Sequence, residues 1–312
     1  MFAGDSPVLL CIIEFGAARR EPYRPRIHPG EVQRAFRESR NMPLFWLRIA
    51  TVLYGVCLVY ALIVLVSKGE RLARIAIHAG ALGLILHCVS VIETAQMYGY
   101  RDLLTIRYAE SNLALILVAL FMFLYVRFQS TATGLFIFPV AFLLTFGSAL
   151  GPRPAVLASP NLRSGWILVH VCLLLVGYAA LFLSFLSSLL YLVQSHSLKS
   201  KRFSRFLVRL PALQVLDELG YKSLLVGFPF MTVGLIIGSV VAQEQFGVRY
   251  FADPKVLLSL LTWGVYMLLL YTRWSSGWRG RKAAYLATFA FAAAVCAWAA
   301  NYLSRVHRFV SP

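Results

Sequence analysis

Charge is scarce in this chain, and acid is scarcest. Only 14% of the 312 residues are Asp, Glu, Lys or Arg, and 13 acidic residues stand against 30 basic ones. A soluble globular domain carries about 25% charged residues, so an ordinary water-facing surface is excluded. The sequence has no Walker motif, no G-x-G-x-x-G and no H-E-x-x-H. The usual marks of nucleotide, dinucleotide and zinc-protease chemistry are therefore missing. Its five cysteines, Cys11, Cys57, Cys88, Cys172 and Cys296, include no C-x-x-C. A thiol–disulfide oxidoreductase needs a paired dithiol, and covalent c-type haem attachment to this chain would need C-x-x-C-H. No chain of ionisable residues runs through the apolar stretches, as a proton path would require. No strong internal repeat of the inverted-transporter kind is visible.

What the chain does have is apolar sequence in long blocks. It is 59% hydrophobic, with a mean hydropathy of +0.72. A bilayer core about 30 Å thick is crossed by roughly 20 helical residues. Eight blocks fit, near residues 47–66, 75–92, 111–128, 134–150, 166–193, 223–242, 256–272 and 283–303. The third, fourth and seventh are the shortest for the task. The alternating segments of about 10 residues that mark a membrane β-barrel are missing. The expected fold is all-α, a polytopic transmembrane bundle of about eight helices.

The formal net charge of +17 belongs to the loops rather than to a nucleic-acid surface. Lys and Arg between membrane spans follow the positive-inside rule and attract anionic lipid head groups. One set of alternating loops, from Lys68 to Lys282, holds fourteen Lys and Arg, against nine in the other set from residue 42 onward. The richer set is read as cytoplasmic, which places both termini outside a cell inner membrane. Residues 1–41 add seven Arg to the outer side and are Pro-rich between Pro22 and Pro29. They read as a disordered or spurious extension, leaving 42–312 as a single transmembrane domain.

This orientation gathers the chemistry on the outer face. His170 lies near the start of the fifth block and His307 just past the eighth. Between them in sequence lies an outer loop with Phe246, Arg249, Tyr250, Phe251, Asp253 and Lys255. Two imidazoles, flat aromatic rings and cations suit a haem. The imidazoles would ligate iron, the rings would pack on the macrocycle, and the cations would meet its carboxylates. Plainer readings stand beside this one. The histidines could be interfacial, the aromatics a membrane belt, and Asp253-Pro254 a helix start. His78 and His87, nine residues apart, fall on opposite faces of one helix. His87 is the deeper of the two, and an ionisable group at that depth is a functional candidate. Gly227, Gly234 and Gly238 read as close helix packing. Glu93, Glu110 and Asn112 read as polar helix ends.

From His170 onward the chain resembles the cytochrome c assembly protein family, the haem-handling membrane proteins of the CcsA, CcmC and HemX type. The matching stretches are His170-Val171 with Gly177-Tyr178-Ala179-Ala180-Leu181, Leu216-Asp217-Glu218-Leu219-Gly220-Tyr221, Gly227-Phe228-Pro229, Leu261-Thr262-Trp263, Gly277-Trp278-Arg279-Gly280-Arg281 and Asn301-Tyr302-Leu303 before His307. The resemblance implies that His170 and His307 ligate haem b axially on either side of a tryptophan-rich segment. It also implies that His87 matches a membrane-embedded haem histidine. In the family that segment reads like W-G-x-Y-W-S-W-D-P-K-E. Here it keeps Asp253, Pro254 and Lys255 but has Phe246, Tyr250 and Ala252 in place of tryptophan. The overall likeness is nearest the shorter HemX-like branch.

The implied role is haem delivery at the outer face during c-type cytochrome biogenesis, with no covalent bond made by this chain alone. Its partners would be membrane lipid, another membrane protein of that process and apocytochrome c, with no nucleic acid. Two other readings remain open at this point: a membrane regulator of tetrapyrrole synthesis acting through Lys199–Arg209, and a small-molecule transporter.

Overall fold

The computed structural model describes residues 42–66, 70–98, 106–128, 133–150, 165–201 and 210–304. The extension expected over residues 1–41 lies outside the described residues, as does His307. Among the described residues eight α-helices follow one another: α1 (Met42–Val66), α2 (Glu70–Tyr98), α3 (Ile106–Phe128), α4 (Gly134–Leu150), α5 (Gly165–Lys199), α6 (Leu213–Phe246), α7 (Pro254–Ser275) and α8 (Arg281–Ala299). Short 3-10 turns cover Gly247–Ala252 and Ala300–Tyr302. Among the described residues there is no strand. All of them belong to one unit, Met42–Pro312.

Among the described residues seven helices are long and apolar enough to cross a membrane, and the shorter apolar α4 makes an eighth apolar helix. Most helices outrun the apolar blocks that announce them. Backbone hydrogen bonding continues into polar flanks once the helix is nucleated, so α6 begins at Leu213 and α5 runs on to Lys199. Helix α4 coincides with its block, and the last helix falls short of its own. Its α-helical turns stop at Ala299, short of the expected residue 303, and tighten into the 3-10 turn.

The helices are apolar on both sides, as lipid requires. Val52, Phe123, Leu143, Ile236 and Phe289 point outward, while Tyr54, Leu117, Phe121, Ile137 and Leu186 share a core. Helices α1 to α4 pack around one another, and α5 to α8 form a second group joined to the first through α3 and α5. The α5–α6 pair is the most extensive, and glycine makes it possible. A Cβ on Gly177 would lie 3.1 Å from the Met231 backbone nitrogen, and one on Gly227 would lie 3.0 Å from the Gly177 carbonyl oxygen. Helix α8 approaches its neighbours along an alanine stripe, Ala283, Ala287, Ala290, Ala294 and Ala297. With no hydrophobic drive between helices in lipid, such small-residue contacts carry the packing.

Polar ties hold the two ends. At one, Arg273 grips the Asp217 carboxylate at 2.9 and 3.1 Å, and the Gly280 amide donates to the same carboxylate at 3.1 Å. These bonds join the starts of α6 and α8 to the end of α7. At the other end, Trp46 donates to Glu93 at 3.1 Å and Ser90 to the Pro43 carbonyl at 2.7 Å.

Candidate functional site

His170 lies five residues into α5, about 8 Å along its axis. Its Nδ1 sits 2.6 Å from the Gly234 carbonyl oxygen on α6. A carbonyl only accepts, so Nδ1 carries the proton and donates. The tautomer is thereby fixed with Nε2 bare, the form that ligates a metal, and a backbone carbonyl is a usual partner for the far nitrogen of such a ligand. Nε2 has no hydrogen-bond partner among the described residues. One turn further along α6 is Gly238. A Cβ there would collide with the His170 ring, so only glycine leaves the imidazole its place. Gly234 and Gly238 therefore do more than pack helices: one orients the histidine and the other accommodates it.

His170 lines a cavity of about 760 Å³, within the range of small-molecule and cofactor sites. Its walls come from α3 to α8 and are almost wholly apolar, with Leu117, Phe185 and Phe291 among them. Near His170 the polar lining is Tyr250, Lys255 and Asn301, with the hydroxyls of Ser239 and Ser259 beside them. Tyr250 is only 2% exposed, and its hydroxyl and the Asn301 Oδ1 are buried without a hydrogen-bond partner among the described residues. Buried polar atoms are nearly always paired, so orphaned ones on a cavity wall mark places where a ligand or water is met.

The outer loop divides in two. Tyr250 and Lys255 face the cavity. Phe246 and Phe251 are both 45% exposed, Arg249 is exposed, and none of the three lines the cavity. Of the aromatic set expected to pack on a ligand, one ring is in position, and of the two cations, Lys255. The 3-10 turn causes the split: at three residues per turn it winds Tyr250 inward and its neighbours out. Asp253 caps α7, accepting from the Lys255 amide at 3.0 Å. Its other oxygen accepts from Ser304 Oγ at 3.0 Å. The loop is thus fastened to the segment that leads toward His307.

His87 lies elsewhere. It is fully buried among α1, α2 and α3, with Nε2 2.8 Å from Ser111 Oγ and Nδ1 3.3 Å from Tyr54 Oη. Both nitrogens are engaged, and His87 does not line the cavity. To ligate a metal it would have to give up a hydroxyl. His78, on the opposite face, is exposed. Sequence reasoning missed Asn301 as a cavity residue, along with Tyr178 and Tyr266, which line the deeper walls. Tyr178 and Asn301 stand within the family-like stretches, and Tyr266 is a polar residue in an otherwise apolar helix, but neither signal says which way a side chain faces.

In this helical bundle a histidine with its tautomer fixed lies half-buried on the wall of a large apolar cavity. The chain belongs to the cytochrome C assembly protein family, whose model matches residues 52–308. It is similar to the cytochrome c biogenesis protein CcsA of Guillardia theta, at 30% identity over 218 residues, covering 63% of this chain and 72% of that one. The protein of the same name from Chlamydomonas reinhardtii is 37% identical over 134 residues, or 42% of this chain and 36% of that one. That of Parasynechococcus marenigrum is 36% identical over 166 residues, or 46% and 54%. These relatives carry the CcsA name, and the expected leaning toward the HemX-like branch finds no support among them.

Proposed function

We propose that this chain is a haem-handling assembly factor of c-type cytochrome biogenesis. It holds haem b in the α3–α8 cavity and presents it at the end of the bundle that carries His170. The residues fit such a cargo. His170 Nε2 would ligate the iron, Tyr250 would lie against the macrocycle, and Lys255 with Asn301 would meet a carboxylate. Haem supplies the ligatable iron; the chain supplies orientation, a dry apolar wall and one buried cation. His307 would complete the axial pair. His87, whose nitrogens are both bonded, would serve the cargo only by exchanging a hydroxyl for iron. Arg249 and Phe246, on the surface beside the cavity, would meet a partner: an apocytochrome or another membrane protein of the same process. The chain would sit in the cell inner membrane with both termini outside, consistent with the charge balance of its loops.

One observation carries the reading: the imidazole is fixed by Gly234, fitted over Gly238 and set on the wall of the cavity. The check is the absorption spectrum of purified protein titrated with haem. We expect a Soret band of histidine-ligated haem in the wild type and its loss or blue shift in His170→Ala. A wild type that develops no such band, or a variant that keeps it unchanged, contradicts the reading. The transporter and regulator alternatives require no such band.

A further inference from the structure

The cavity does not end at the level of His170. From His170 to Leu189, both on its wall, α5 advances nineteen residues, about 28 Å. That is close to the hydrocarbon thickness of about 30 Å. Beyond Ser239 and Ser259, which lie near the His170 end, the lining is apolar except at one deeper level. Tyr178 lies eight residues beyond His170 on α5, about 12 Å further in. Tyr266 faces it from α7, twelve residues from the start of that helix and thus about 18 Å in. Tyr266 is fully buried, yet among the described residues its hydroxyl has no hydrogen-bond partner, and it lines the cavity. Tyr178 lines the same wall.

A buried hydroxyl without a partner is destabilising. Phenylalanine would fill the same space without that penalty, and the rest of the wall is made of such side chains. Two tyrosines at one level of an apolar shaft therefore mark a polar station. We propose that Tyr178 and Tyr266 form a second ligand station, below His170, that hydrogen-bonds a protonated carboxyl group of the tetrapyrrole. The tetrapyrrole as ligand class rests on the function proposed above. The neutral form follows from the surroundings. Among the described residues the only Lys or Arg on the cavity wall is Lys255, eleven residues or about 16 Å from Tyr266 along α7, and an unpaired carboxylate is costly at that depth. A carboxylic acid can both donate to and accept from phenol hydroxyls, so two tyrosines suit it. The cavity would thus offer a tetrapyrrole two levels of polar contact along α5, about 12 Å apart.

Metal-free protoporphyrin IX isolates the station, because it carries the carboxyl groups and needs no axial ligand. Its fluorescence is titrated against the full chain in phospholipid nanodiscs, beside a porphyrin bearing only alkyl groups. The proteins are wild type, Y266F and Y178F/Y266F. We expect protoporphyrin IX to bind roughly tenfold more weakly to the double variant, the equivalent of one or two lost hydrogen bonds. The alkyl porphyrin should bind all three alike, and the ligand-free melting temperature should stay level or rise in Y266F. Unchanged protoporphyrin IX binding overturns the station, as does an equal loss for both porphyrins, which would show a packing role. A wild type that binds neither porphyrin overturns the station and the proposed function together. A tyrosine-dependent protoporphyrin IX signal without a histidine-type Soret band on adding haem supports the station and contradicts the His170 reading alone.

Discussion

The site turns on a residue with no side chain. Gly238 is the space into which the His170 ring fits, and Gly234 provides the carbonyl that orients it. Gly238→Ala should displace the imidazole and abolish histidine-type haem binding. Overpacking of this kind costs about 1–3 kcal/mol, a modest drop in thermal stability. A variant that binds haem as the wild type does would show the fit to be incidental. His87 makes a contrasting case. Its ring is held by Tyr54 and Ser111, so His87→Ala strands two buried hydroxyls. It should lower stability by about 2–4 kcal/mol while leaving the haem spectrum of the surviving folded protein unchanged. A spectrum lost without a change in melting temperature would make His87 a ligand instead.

Residue identity was the most legible layer of this site, and side-chain direction the least. His170 and Lys255 could be singled out because polar groups are rare in an apolar chain. That Tyr250 turns inward while Phe246 and Arg249 turn out could not, because the deciding feature is a 3-10 turn whose period differs from that of the helices beside it. Asn301 and Tyr266 were invisible for another reason. A polar residue in a span is ordinarily paired to another helix, and only the packed structure shows that these are not.

Among the elements, α7 and its cap decide how the outer end is assembled. Asp253 holds the first turn of α7 through the Lys255 amide and the end of the α8 segment through Ser304. Asp253→Ala should remove an N-cap, at about 0.5–2 kcal/mol, and release the Ala300–Ser304 segment as well. Hydrogen exchange at residues 300–304 should accelerate in the variant while α5 and α6 stay protected. Equal exchange in both proteins would show that the tie is not what holds the segment. The helices themselves were largely readable from the eight apolar blocks. Their ends were not, because amphipathic continuations such as Leu213–Lys222 carry charge that hydropathy scores against a helix, while the Glu218–Lys222 pair at 2.7 Å accompanies one.

For the whole molecule, the arrangement is two packed groups of helices with a shaft between them. The shaft is lined by α3 and α4 on one side and α5 to α8 on the other. The orientation proposed from loop charge puts His170, Tyr250 and the end of α8 on the outer face, with Arg273, Arg279, Arg281 and Lys282 within. Single cysteines placed at Val248 and at Arg279 in a cysteine-free background should separate cleanly. A membrane-impermeant maleimide should label the first in intact cells and the second only after lysis. The reverse pattern would invert the molecule and move the presenting face to the cytoplasm.

Ligation of haem iron by His170 is the claim on which the rest depends, and chemical rescue tests it most directly. In His170→Gly the imidazole is removed while its space remains. The account predicts that this variant shows no histidine-type Soret band when titrated with haem, and that free imidazole restores it in a saturable manner. A variant that keeps the wild-type band without imidazole would contradict the account, as would one whose band imidazole does not restore although the protein is folded.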